Sequence, residues 1–303
     1  MSQPTSEPPS HWQISLVLLI GILAASTAAI LIRLAIATAN LSGVGFSLVL
    51  AASRLTIASI ALLPTWRSIQ HHPPSIAAFR YATAAGIALA IHFATWITSL
   101  SYTSIAASTT LVTTNPIWVA LFSWIWLKEI PSRLTLAGIA IALSGGILIS
   151  LGSESSTVII GQPWLGNGLA LIGAWAASAY FLFGRAAQRQ GLGIGSYATV
   201  AYTVAAIVLL PLPLIMGTSY SGYPTLTYGY MILMALLPQL VGHTSFNWAV
   251  RWVSPTLVAL VILFEPVVSS ILGYWIFGEI PGVTVLFGAG VMLLGVALAA
   301  VNR

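Results

Sequence analysis

Ten stretches of this chain are long and apolar enough to cross a lipid bilayer, and that property decides most of what it can fold into. A spanning helix needs about 20 mostly apolar residues. Segments 13–36, 43–63, 78–100, 105–127, 133–151, 164–185, 196–216, 226–249, 254–277 and 281–301 meet that length. Charged residues are only 5% of the 303, against about 25% in a soluble domain. So few charges cannot cover a water-facing surface, so lipid has to be the solvent. The expected fold class is all-α integral membrane.

Turn chemistry marks the breaks: Pro73-Pro74, Glu129-Ile130-Pro131, Gly191-Leu192-Gly193, Gly222-Tyr223-Pro224 and Glu279-Ile280-Pro281. The longest loop, 64–77, cannot hide a soluble domain. Any chemistry must therefore sit among the helices. The stretch Met1 to Ser10 has neither the basic start nor the short apolar core of a cleaved signal, so the first span is expected to be retained.

The chain also repeats itself. At an offset of 152 residues Trp12 meets Trp164, Leu19-Ile20-Gly21 meets Leu171-Ile172-Gly173, Ala24-Ala25-Ser26 meets Ala176-Ala177-Ser178, and Arg33 meets Arg185. The offset then drops to 150, where Pro74 meets Pro224, Pro116 meets Pro266, Glu129-Ile130-Pro131 meets Glu279-Ile280-Pro281, and Gly138 and Gly145 meet Gly288 and Gly295. Chance matches in an apolar chain rarely fall on Trp, Arg, Pro and Glu in one register. The expected organisation is a tail over 1–12, a first five-helix repeat over 13–151, a linker over 152–163 and a second repeat over 164–301.

An odd number of spans per repeat turns the second repeat upside down, the plan of many transporters. Charge supports this. The chain has nine Arg, one Lys, five Glu, no Asp and a net charge of +5. With the N-terminus cytoplasmic, Arg67, Arg80, Lys128, Arg133, Arg185, Arg189, Arg251 and Arg303 all fall inside, and Arg33 alone lies near an outer helix end. The basic balance thus reads as membrane topology and not as a nucleic-acid surface. Lys128 and Arg133 flank the first Glu-Ile-Pro, whereas Gly278 and Val283 flank the second, as loops on opposite faces should.

Asn115-Pro116 through Lys128-Glu129, Glu265-Pro266 through Gly278-Glu279, and Arg54 in the second span carry a resemblance to a known family. The chain resembles the EamA branch of the drug/metabolite transporter superfamily over essentially 13–301. It departs from the family at the first span, with Ala24-Ala25-Ser26 where many members have Trp-Gly. The resemblance implies ten helices in two inverted halves and a substrate path among the third, fourth, eighth and ninth. It also implies movement of amino acids or other small metabolites, mostly outward across a bacterial inner membrane.

Ionisable groups inside a bilayer are candidates for function. Glu265 lies near the centre of the ninth span, opposite Asn115 in the repeat, and each precedes a proline. Its carboxyl could exchange a proton, pair with a substrate amine, or serve structure. Gln239, His243 and Asn247 follow each other at intervals of four on the eighth span, and so are expected on one face. That face lines either an aqueous cavity or a hydrogen-bonded helix seam. His92 and Trp96 are one turn apart on the third span, continued by Ser99, and either wall a pocket or pack in the bundle. The candidate substrate-binding set is therefore His92, Trp96, Asn115, Gln239, His243, Asn247 and Glu265, with Glu265, His243 and His92 as proton-coupling candidates.

Arg54 is the one basic residue deep in a span and has Val204 as its repeat mate. It either pairs with Glu265 or holds a substrate carboxylate. Arginine is frequent in this helix of the family, which favours a structural charge. Thr109, Thr110, Thr113 and Thr114 can bond back to their own helix. Trp118, Trp124, Trp126 and Trp275 lie toward helix ends as interface anchors, and Trp175 and Tyr180 lie deeper. Gly145-Gly146 and Gly288/Gly290 permit close helix contact, while Glu129 and Glu279 mark the fold.

There is no cysteine, no cluster at metal-ligand spacing and no phosphate loop. No cofactor, metal or nucleic acid is expected. The partners expected are a small-molecule substrate and the bilayer, for a monomer or a homodimer. The expected function is a secondary transporter, not an enzyme. A channel or lipid-translocating protein is the alternative, and an intramembrane enzyme using His92, His243 and Glu265 a more remote one.

Overall fold

The structure is a computed structural model, and it describes residues 9–71, 73–127, 132–153, 162–249, 251–253, 258 and 261–301. Lys128, Glu129-Ile130-Pro131, residues 154–161, Arg303 and the side chain of Trp126 lie outside the described set. Every regular element described is helical. In chain order they are α1 (His11–Ala39), α2 (Val44–Ala61), a 3₁₀ turn (Leu63–Thr65), α3 (Trp66–His71), α4 (Ile76–Ser99), α5 (Ile105–Val112), α6 (Asn115–Leu127), α7 (Arg133–Ser153) and α8 (Pro163–Arg189). There follow α9 (Ile194–Leu209), α10 (Pro211–Ile215), α11 (Thr225–Met234), a π-helical segment (Ala235–His243), α12 (Thr244–Ala249), α13 (Glu265–Phe277) and α14 (Val283–Val301).

Local chemistry sets the helix ends. Ser10 accepts from the Gln13 N–H, and the Gln13 side chain accepts from Ser10 N–H at 2.8 Å, a capping box that starts α1. Ser75 and Ser104 cap α4 and α5 in the same way. Asn40 (φ 51°) ends α1 in the left-handed region, and Gly278 (φ 66°) ends α13 there.

Among the described residues, six helical stretches are long and apolar enough to cross a membrane: His11–Ala39, Val44–Ala61, Ile76–Ser99, Pro163–Arg189, Ile194–Ile215 and Thr225–Ala249. These and the later helices carry large exposed apolar side chains, such as Ile207, Trp275, Val283 and Leu294. Water would not tolerate so much of this surface, and the chain is a multi-pass membrane protein.

Among the described residues, two apolar segments are interrupted at matching places in the repeat. Segment 105–127 breaks at Thr113 and Thr114, between α5 and α6. Residues 263–264 form a turn, and α13 begins at Glu265. Each second piece opens with the residue before a proline, Asn115-Pro116 or Glu265-Pro266. Proline has no N–H for the carbonyl four residues back, and its ring crowds that turn. Each chain segment therefore restarts there.

Core packing joins α4 to α8 and α9, α2 to α9, and α1 to the π segment and α13. The interior holds Arg54, Phe93, Tyr180, Tyr197 and Tyr202, all fully buried. Helices α7 and α14 cross backbone to backbone: a Cβ on Gly145 would stand 2.4 Å from Met292 N and 2.6 Å from Gly288 O. A Cβ on Gly295 would stand 2.4 Å from Ala142 N and 2.6 Å from Gly138 O. The contacts are reciprocal: Gly145 meets Gly288, and their repeat mates Gly295 and Gly138 meet each other. Gly290 faces open space.

One end of the bundle is tied by Glu279. Its Oε1 accepts from the Ile105 N–H at 2.8 Å, filling an open donor of α5. Arg33 Nη2 donates to the Thr103 carbonyl, and Thr103 Oγ1 donates to Asn167 Oδ1 at 2.9 Å.

Candidate functional site

The breaks flank a cavity of about 40 Å³. Its wall takes His92 and Trp96 from α4, Thr113 and Asn115 from the first break, and Ile262 and Glu265 from the second. Tyr180 and Phe181 come from α8, His243 and Phe246 from the π segment and α12, and Ala25 and Ala28 from α1. Five of the seven expected substrate-site residues thus share one wall: His92, Trp96, Asn115, His243 and Glu265. Gln239 and Asn247 are not part of it. The space has room for water and is narrow for a drug-sized or metabolite-sized ligand.

The π segment explains the separation. Pro238 lies inside it, and π turns bond i→i+5, so residues four apart no longer stack as in an α-helix. Gln239 turns to α2, where its Oε1 accepts from Arg54 Nε at 2.9 Å. His243 turns to α4, with its ring 5.4 Å from Phe93 and 6.4 Å from His92. Asn247 Nδ2 donates to the Tyr180 hydroxyl at 2.8 Å.

His92 is oriented by a carbonyl. Its Nδ1 lies 2.9 Å from Gly173 O, which can only accept. Nδ1 therefore carries the proton, leaving the Nε2 lone pair of the neutral ring to accept. The imidazole stacks on Trp96 at 5.8 Å, 13° from parallel.

The two breaks differ in how they satisfy their backbone. Pro116 cannot donate to Val112 O, its i−4 carbonyl. With its amide nitrogen turned inward, Asn115 donates to that carbonyl at 3.0 Å and to Ala174 O at 3.2 Å. The side chain before the proline replaces the missing bond. In the second break Pro266 leaves Ile262 O in the same position, but Glu265 is an acceptor when ionised and cannot fill it. Both Ile262 and Glu265 face the cavity. Glu265 forms no salt bridge with Arg54, whose guanidinium instead lies 4.1 Å over the Phe93 ring and bonds Gln239.

The threonines before Asn115 bond back to their own chain. Thr109, Thr110 and Thr114 donate to Ile105 O, Ala106 O and Leu111 O at 2.7 Å each, and Thr113 to Thr110 O at 3.1 Å. Trp118 Nε1 donates to Thr114 Oγ1 at 2.9 Å and its ring meets Trp175 at 5.0 Å. Trp124 and Trp275 are exposed. Sequence reasoning passed over Phe181 and Phe246 as wall residues. Phe246 was within reach, three residues after His243 on a helical stretch; nothing in the sequence marked Phe181.

A model of the EamA-like transporter family matches residues 11–151 and again 164–301. The chain belongs to the EamA-like transporter family. Family members are transporters, which removes the intramembrane-enzyme reading. A probable terminal-alkyne amino-acid exporter of Streptantibioticus cattleyicolor is 25% identical over 64% of this chain and 62% of its own length. An uncharacterized transporter of Clostridium kluyveri is 23% identical over 65% of this chain and 64% of its own. The chain thus spans less than two thirds of these two relatives. The uncharacterized transporter YwfM of Bacillus subtilis is 26% identical over 80% of this chain and 81% of its own. A solved crystal structure shares the fold, with a TM-score of 0.61 over 96% of this EamA-like chain and 97% of the other at 18% identity.

Proposed function

We propose that this EamA-like protein is a secondary exporter of small metabolites, amino acids foremost, working by alternating access in a bacterial inner membrane. Its architecture is then ten spans in two inverted five-helix repeats, with both termini cytoplasmic, as a monomer or a homodimer. The observation that carries the reading is the second break. Glu265, the one acidic residue of the wall, faces a cavity also walled by His92, Trp96, Asn115 and His243, and the proline after it removes a backbone donor beside it. A carboxyl in that place suits a substrate ammonium or a proton.

Coupling follows from electrostatics. An ionised, unpaired carboxylate is unfavourable inside a membrane. Glu265 therefore reorients with either a proton or a cationic substrate, not with neither, which exchanges one for the other. The reciprocal α7–α14 contacts support a two-fold relation between the halves, and the Streptantibioticus cattleyicolor relative, named for amino-acid export, supports the substrate class.

The test is efflux of a panel of labelled amino acids from proteoliposomes. Saturable flux, competed by excess unlabelled amino acid, is expected. Non-saturable flux would make the protein a channel, and flux of labelled lipid alone would make it a lipid translocator.

A further inference from the structure

Behind the cavity wall lies a group of buried donors without acceptors. Arg54 is fully buried. Only its Nε is hydrogen-bonded, to Gln239, while Nη1 and Nη2 have no partner. Because Gln239 Oε1 faces that arginine, its Nε2 must be the other amide atom; it lies toward the Tyr202 hydroxyl without closing a well-formed hydrogen bond. Trp96 Nε1 is unpartnered as well. A guanidinium buried with two open donors is strongly disfavoured. All of these open groups want an acceptor, and a negative charge suits them best.

Phe93 stands at the junction of this group and the cavity. The Arg54 guanidinium sits 4.1 Å over its ring. The same ring lies 4.7 Å from His92, 5.4 Å from His243 and 6.2 Å from Trp96, three residues of the cavity wall. Phe93 is itself fully buried. Its ring is the side chain that stands between the cavity wall and the guanidinium.

We propose that Arg54 and Gln239 form a carboxylate-binding subsite, covered by Phe93 in this structure, that takes the carboxylate end of the transported molecule. Arginine's planar fork matches a carboxylate in two parallel bonds, and Gln239 Nε2 adds a third donor. Resting on the reading of Glu265 as the site for a substrate ammonium, this makes the cavity a two-ended site for a zwitterion. The aromatic walls between the ends hold an apolar side chain.

Binding to the purified full-length protein tests this, with phenylalanine, phenethylamine (no carboxylate) and 3-phenylpropionate (no amine) as probes, read by thermal stabilisation. In the wild type, losing the carboxylate is expected to weaken binding roughly ten- to a hundredfold, the worth of hydrogen bonds to a charged group. Arg54→Gln should bind phenylalanine and phenethylamine alike. Should that variant not fold, Arg54→Lys keeps the charge without the fork and should narrow the difference, while Phe93→Leu uncovers the guanidinium and should tighten 3-phenylpropionate.

Equal binding of phenylalanine and phenethylamine by the wild type overturns the subsite, as does undiminished discrimination by Arg54→Gln or, if it does not fold, by Arg54→Lys. Phenylalanine binding that ignores Arg54 leaves the amino-acid reading standing and removes the subsite. Arg54-dependent binding of 3-phenylpropionate without phenylalanine binding does the reverse. No binding by any probe counts against both.

Discussion

The breaks at 113–114 and 263–264 begin from the same problem and end differently. Each precedes a proline that cannot bond the carbonyl four residues back, and each places one polar side chain beside it. Asn115 supplies the missing donor to Val112 O and reaches Ala174 O as well. Glu265 has no donor to supply when ionised, and it lines the cavity together with Ile262. The first break completes its hydrogen bonds within the protein. The second places a carboxyl on the cavity wall in place of that donor. In two halves of similar design, that difference is what the proposed ligand site rests on.

The largest effect is expected from Glu265→Asn, which gives the second break the first one's solution. The new amide can donate to Ile262 O, so the protein should fold at least as well as the wild type while amino-acid flux falls to background in proteoliposomes. Wild-type flux in this variant would sink the comparison.

Asn115→Leu tests the opposite half. It strips donors from two carbonyls, at about 1–3 kcal/mol for each buried group left unpaired. The thermal midpoint in detergent should drop by several degrees. An unchanged midpoint would show that Asn115 does not hold the break.

His92→Phe keeps a ring to stack on Trp96 but removes the bond to Gly173 O. About fivefold weaker substrate binding is expected, from the loss of roughly 1 kcal/mol, with little change in maximal rate. A collapse of maximal rate would instead place His92 in the proton step.

Asn247→Leu is the mildest. It loses the bond to the Tyr180 hydroxyl and should lower stability by about 1 kcal/mol, leaving substrate affinity as it was. A change in affinity would bring Asn247 into the site from which the π segment turns it.

Much of this was legible in the residues. Apolar length marked the membrane helices, and the register of prolines and glutamates aligned Asn115 with Glu265 before any contact was known. His92 beside Trp96 and Glu265 beside Pro266 pointed to the cavity wall. The eighth-span stripe was only partly legible, because an i, i+4 pattern assumes an α-helix. The π segment around Pro238 sends Gln239 to Arg54, His243 to the cavity and Asn247 to Tyr180. An Arg54–Glu265 pair was a reasonable expectation from scarcity of charge, but Phe93 and Gln239 take the guanidinium instead. The role of Glu279 as an acceptor for the start of α5 needed the fold, since its partner Ile105 is 174 residues away.

The measurement that bears most directly on the open carboxyl is pH-gradient-driven flux in proteoliposomes, comparing wild type with Glu265→Gln. Glutamine keeps the shape of the side chain and can hold no exchangeable charge. The wild type should drive its substrate against a concentration gradient when a proton gradient is imposed, and Glu265→Gln should lose that drive at every pH. A glutamine variant that transports like the wild type across the whole pH range would contradict the account.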